Sequence, residues 1–338
     1  YASALNDFNT AFGQDINAIQ AFYNRAAAYR LLAGDGGAID DLLICRDRLP
    51  LPEYARADTG GHLPLLLVHG FQATSFNPNV LWAEMTLYFT GLDVDSGEAR
   101  TVTVAGRDGD PDAGMRRLEG RGYVVYISNY THYTEKATRG DVRRYARNLA
   151  DEITFIREME NCNEVDIIAH SSGGLVTRAY IENEDFMVNP FPVAYRGDVR
   201  KLIMLATPNH GTYLGDILPA TLEEYVEWEF WKQVEVASPF LQQLNGGMTG
   251  RRQGVEYWAV AGNAYRCGSG INDPAALALC MVSGQKDNDG AVTVESVYLP
   301  QQGDFEEIPP QRWFTVNLTH IKLRCHDTGY IVEYMLNR

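Results

Sequence analysis

Short apolar runs alternate with stretches of helical periodicity along most of this 338-residue chain. Leu63-Pro64-Leu65-Leu66-Leu67-Val68-His69-Gly70-Phe71 is the first strong strand signal, and it ends in a turn. Unbroken apolarity of this kind suits a strand buried on both faces. Val80, Leu81, Met85, Leu87, Tyr88 and Phe89 predict a helix over about 78–90. Residues 91–118 are polar and rich in Gly and Asp, and read as a surface insertion. A strand over 122–127 and a helix over about 139–160 follow, the helix with a stripe at Val142, Tyr145, Ala146, Leu149, Ile153 and Ile156. Further strands are predicted from Val165, over 201–207, over 255–261 and over 312–316. Strands alternating with helices imply right-handed βαβ units, hence an α/β fold with a mostly parallel central sheet flanked by helices. Ahead of this, Phe12, Ile16, Ile19, Phe22 and Tyr23 recur at helical spacing. Residues 1–60 are therefore read as an N-terminal helical extension packed on a main domain at 61–338.

Charge narrows the partners. Lys and Arg number 29 against 44 Asp and Glu, a formal net charge of −15. That argues against nucleic acid and against anionic membranes bound by bulk charge. With no apolar run of 18 residues, no spanning helix is expected. The chain begins at Tyr1 rather than methionine, which reads as a removed leader and a secreted protein. The five cysteines form no C-x-x-C pair, so the strong zinc and redox signatures are missing. Cys267 and Cys280 share one loop in this reading, where a local disulfide and two unpaired thiols are equal alternatives.

The chemistry concentrates at Val165-Asp166-Ile167-Ile168-Ala169-His170-Ser171-Ser172-Gly173-Gly174. A buried strand crosses a corner of small residues and continues as a helix. Such a corner projects the Ser171 hydroxyl out of the sheet and aims the next backbone N–H, from Ser172, at the same spot. Glycine usually stands at both flanking positions; here the first is Ala169.

Taken in order, Leu67-Val68-His69-Gly70-Phe71, Ala169-His170-Ser171-Ser172-Gly173-Gly174, Ala206-Thr207-Pro208-Asn209-His210-Gly211-Thr212, Ser238-Pro239-Phe240-Leu241, Asp289-Gly290-Ala291-Val292 and a histidine near the C-terminus resemble the α/β-hydrolase fold. Within that fold they resemble the bacterial lipases and related carboxylic ester hydrolases. The resemblance covers about residues 60–338. It implies a nucleophile at Ser171, a base at His320 and an acid at Asp289, with an oxyanion hole made by the N–H groups of Phe71 and Ser172. His326 is the rival base; Asp273 and Asp287 are rival acids. His170 is read as the variable residue of the corner.

The resemblance also implies a lid over about 211–250, where Leu218, Leu222, Tyr225, Trp228 and Trp231 supply bulky apolar side chains. The lid and a fixed helical wall are equal readings. No cofactor is required. Calcium is the one candidate ion, but Lys322 stands where the family carries an aspartate. A second candidate loop is Asp108, Asp110 and Asp112, with Glu119 at its twelfth position. The expected substrate is a hydrophobic ester or lipid met at a lipid–water interface. Phospholipase, polyester depolymerase and acyltransferase activities share this machinery, and a catalytically silent binding protein is the non-enzymatic alternative.

Overall fold

The computed structural model describes residues 62–71, 78–104, 114–131, 140–182, 191–217, 229–246, 254–268, 270–297, 299 and 312–338. The expected N-terminal extension lies outside the described residues. Among the described residues, eight strands form one sheet: β1 Leu65–Val68, β2 Arg100–Val102, β3 Met115–Gly120, β4 Tyr123–Ile127, β5 Val165–His170, β6 Val199–Leu205, β7 Glu256–Gly262 and β8 Trp313–Val316. Their spatial order is β2-β3-β4-β1-β5-β6-β7-β8. β4, β1, β5, β6, β7 and β8 run parallel. β2 and β3 are joined to the edge of β4 in antiparallel fashion.

Those two strands correct the reading of residues 91–118 as a surface insertion. β2 is mostly exposed, and β3 buries only Met115 and Leu118, so neither carries the apolar run that marks a central strand. The helices are α1 Pro78–Thr90, α2 Val142–Glu160, α3 Gly173–Ile181, α4 Leu214–Ile217, α5 Glu229–Val234, α6 Pro239–Gly246, α7 Pro274–Val282, α8 Val294–Val297 and α9 Gly329–Leu336.

The pleat of β1 explains its sequence. Leu65 and Leu67 enter one core with Trp82 and Met85 of α1 and Ile331 and Met335 of α9. Leu66 and Val68 enter the other, with Tyr145, Leu149 and Ile153 of α2 and Leu175 of α3. Helices thus cover both faces, and alternate residues are apolar for different partners. The stripe of α2 is buried as its spacing predicts. Its start is set by Asp141, whose carboxylate accepts the Arg143 N–H at 2.8 Å, and its end by Asn161 in the left-handed region at φ 49°. Ser238-Pro239 is a helix start of the same logic. The Ser238 hydroxyl oxygen accepts the Leu241 N–H at 3.2 Å, and Pro239 opens α6, where its missing N–H costs nothing.

Lys201, on β6, is buried and donates from Nζ to the Met335 and Leu336 carbonyls at 2.9 and 3.0 Å. These are end carbonyls of α9, which have no partner within the helix. Burial pulls the ammonium below its ordinary pKa against the opposing pull of Glu256. Lys201→Met keeps the packed stem and removes the Nζ donor from both carbonyls. A loss of about 1–3 kcal/mol is expected, read as a lower urea midpoint; an unchanged midpoint would remove Lys201 from the anchoring of α9.

Cys267 and Cys280 form a disulfide, with Cα atoms 5.7 Å apart. Cys280 lies on α7 rather than in a shared loop, so the bridge ties a helix to the strand-end segment. Cys162 and Cys325 are free and half-buried.

Candidate active site

β5 ends at His170, and the chain turns into α3 through Ser171, whose φ is +56°. A left-handed serine is costly unless its surroundings hold it there. The Ser171 N–H donates to the Leu205 carbonyl at 2.8 Å, and its carbonyl accepts the Gly174 N–H at 3.1 Å. Two glycines are forced by close approach. A Cβ on Gly70 would stand 2.6 Å from the Ser171 Cβ, and one on Gly173 would stand 2.4 Å from the His69 carbonyl oxygen. Ala169, where a glycine is usual, is fully buried within β5 between β1 and β6.

The structure brings Ser171, His320 and Asp289 together from separate parts of the chain. Ser171 Oγ and His320 Nε2 are 2.9 Å apart, and His320 Nδ1 and Asp289 Oδ2 are 2.9 Å apart. A carboxylate only accepts, so Nδ1 carries the ring proton and Nε2 offers its lone pair to the hydroxyl. Asp289 is held on its other side: Oδ1 accepts the N–H groups of Ala291 and Val292 at 2.9 and 2.8 Å. Its side chain has no solvent exposure. Its backbone carbonyl also accepts the His320 N–H at 2.8 Å, which joins Asp289 and His320 at both main chain and side chain.

The rivals are engaged elsewhere. His326 is exposed, with Nδ1 2.7 Å from Glu84. Asp273 caps α7 by accepting the Ala276 N–H, and Asp287 accepts the Cys267 N–H.

Ser172 is the residue immediately ahead of α3, so its N–H falls outside the helix's own ladder and adjoins Ser171. Phe71 follows His69-Gly70 beside the same corner. The Tyr130 hydroxyl donates to the His69 carbonyl at 2.9 Å, and its ring stacks on the His69 ring at 4.3 Å. Tyr130 thereby shapes the loop carrying Phe71, a role with no signal in the sequence.

His170 is more than a variable residue. It is buried, and its Nε2 donates to the His320 carbonyl at 2.8 Å. Its ring lies 4.6 Å from the His320 ring, and the Trp82 ring meets it edge-on at 6.4 Å. The clue in the sequence was a polar side chain at the end of a strand with two buried faces. Burial first, then the neighbouring His320, holds this imidazole well below its ordinary pKa, with Arg324 and His69 adding to the effect. The unfolded chain gains a proton here below about pH 6.5, and the folded chain resists it. The stability His170 contributes is therefore complete above that pH and is lost as pH falls below it. Between about pH 7.5 and pH 5 the wild type should lose more stability than His170→Gln, by at most about 1.4 kcal/mol per pH unit. Parallel urea-midpoint curves for the two proteins would contradict a neutral buried His170.

Ser171 and His320 open into a cavity of about 210 Å³ with mostly apolar walls. Phe71, Phe230 and Trp231 form an aromatic cluster in its lining, with Phe71 5.4 Å from Phe230 and 4.8 Å from Trp231. Trp231, expected in the lid, lies on α5 and is 4% exposed. Leu218, Leu222, Tyr225 and Trp228 lie outside the described residues, as do Asp108, Asp110 and Asp112. Glu119 is not the end of a loop. It sits on β3 opposite Val124 and pairs with Arg117 at 3.0 Å. Among the described residues no cluster of three His, Cys, Asp or Glu side chains is arranged to hold a metal. Among the same residues no helix is long and apolar enough to cross a membrane.

The architecture, with its serine at the corner after β5, is that of the α/β hydrolases. The mature form of the lipase BlEst2 from Bacillus licheniformis is similar in fold, with a TM-score of 0.52 and 17% identity over 81% of this chain and 92% of that one. The propeptide form of the same lipase gives 0.53 and 17%, over 82% of this chain and 50% of that one. At such identity the likeness is one of fold. A model of a domain of unknown function, DUF7379, matches residues 111–227. No curated protein matches the sequence.

Proposed function

We propose that residues 61–338 form the catalytic domain of a secreted, lipase-like serine ester hydrolase that cleaves hydrophobic acyl esters and needs no cofactor. The observation that carries this reading is the unbroken line from Ser171 Oγ through His320 to Asp289, two contacts of 2.9 Å each, at the edge of an apolar cavity. Ser171 attacks the ester carbonyl as His320 Nε2 takes its proton. Asp289 stabilises the imidazolium and keeps the ring oriented. The N–H groups of Ser172 and Phe71 receive the oxyanion, each donor being worth about 10²–10³ in rate. His320 then protonates the leaving alcohol, and water activated by the same imidazole releases the acyl group. The aromatic cluster of Phe71, Phe230 and Trp231 suits an acyl chain.

Hydrolysis of dissolved p-nitrophenyl esters from acetate to laurate tests the reading, with a preference for the longer members expected. No turnover across the series would favour a catalytically silent binding protein on the same scaffold. For the lid, a rate that climbs when the ester passes its solubility limit is expected, and a flat rate would leave a fixed wall.

A further inference from the structure

Arg324 takes no part in the cycle above. It closes the short 3₁₀ turn Lys322–Arg324, just beyond His320, and lines the same cavity as Ser171 and His320. Its Nη1 donates to the Leu81 carbonyl of α1 at 2.7 Å. A guanidinium has five N–H donors, and this bond uses one of them on a neutral acceptor. Among the described residues no carboxylate is ion-paired to it. Glu84, which acts on it electrostatically, is engaged by His326 through the ring at 2.7 Å and the backbone N–H at 3.3 Å. Burial pulls the Arg324 pKa down, against the upward pull of Cys325 and Glu84. A half-buried cation facing a mostly apolar cavity is costly to desolvate, and an anion supplied by a ligand offsets that cost.

The position of Arg324 indicates which half of an ester it would meet. The base must reach the leaving alcohol oxygen from His320 Nε2. The lining continuous with His320 is Ile321, Arg324, Leu81 and Trp82, joined by the Arg324–Leu81 bond and by the ring contacts of His170 with Trp82 and His320. The aromatic cluster of Phe71, Phe230 and Trp231 is held together by its own ring contacts and contains no charge.

We propose that Arg324 forms a subsite for an anionic oxygen group, phosphate or carboxylate, carried on the alcohol portion of the ester. The favoured substrates are then acyl esters of an acidic alcohol. This rests on the serine hydrolase reading and adds a substrate class to it.

The test uses three soluble esters: dihexanoylglycerol, its 3-phosphate and its 3-hemisuccinate, each below its micelle concentration, with hexanoate release measured. The readout is kcat/KM for each anionic ester divided by that for the neutral one. In Arg324→Gln this ratio is expected to fall about 10- to 100-fold, mainly through KM. Arg324→Lys should keep part of it, since the charge remains and the planar fork is lost. The phosphate and hemisuccinate arms tell which anion the site prefers. Turnover of the neutral ester with a ratio unchanged in Arg324→Gln overturns the subsite and leaves the hydrolase reading standing. No hexanoate from any of the three, with a normal melting curve, counts against the hydrolase reading and overturns the subsite with it.

Discussion

Replacing Asp289 with asparagine is expected to lower kcat by about 10⁴-fold while the fold stays intact. The reason lies in what the carboxylate does on its far side. Oδ1 accepts the N–H groups of Ala291 and Val292, so the single carbonyl oxygen of an asparagine must take that place. Its NH₂ group is then turned to His320 Nδ1, and two donors cannot face each other. The ring changes tautomer, puts its proton on Nε2, and offers Ser171 a donor where an acceptor is needed. Steady-state kinetics at neutral pH on a dissolved ester measure this. A loss of under tenfold would mean that another acid orients His320.

Replacing Ser171 with alanine is expected to do more, removing ester turnover by about 10⁶-fold. Folding should be little affected. The strain of a left-handed residue at φ +56° is present with either side chain, and the backbone bonds to Leu205 and Gly174 are retained. The variant should keep its melting temperature and still bind ester. Near-wild-type turnover would remove Ser171 from the chemistry, and loss of the folded state would mean that its hydroxyl serves structure.

Much of this arrangement was legible in the chain, and the reason is physical. β1, β5 and β6 are buried on both faces, so they wrote themselves as apolar runs; α2 lies against one face and wrote itself as a stripe. The serine corner was legible because its flanking residues must be small, and Gly173 has no room for a Cβ. Edge strands obey weaker rules. β2 is mostly exposed, β3 buries one residue in each core, and the two carry Arg100, Arg116 and Arg117, so their segment looked like a loop. His170 and Arg324 were illegible for another reason. Each places its side-chain hydrogen bond on a main-chain carbonyl distant in sequence, and a carbonyl leaves no mark on residue type. Cys280 was misplaced because α7 is short and mostly apolar, with no polar face to set its period.

An activated serine reacts with an alkyl fluorophosphonate; an ordinary surface serine does not. Peptide mass spectrometry of the intact protein after such treatment tests the central assignment most directly. One phosphonyl adduct on the peptide carrying Ser171 is predicted, absent after His320→Ala. No adduct, or an adduct on another serine while Ser171 stays unmodified, would contradict it.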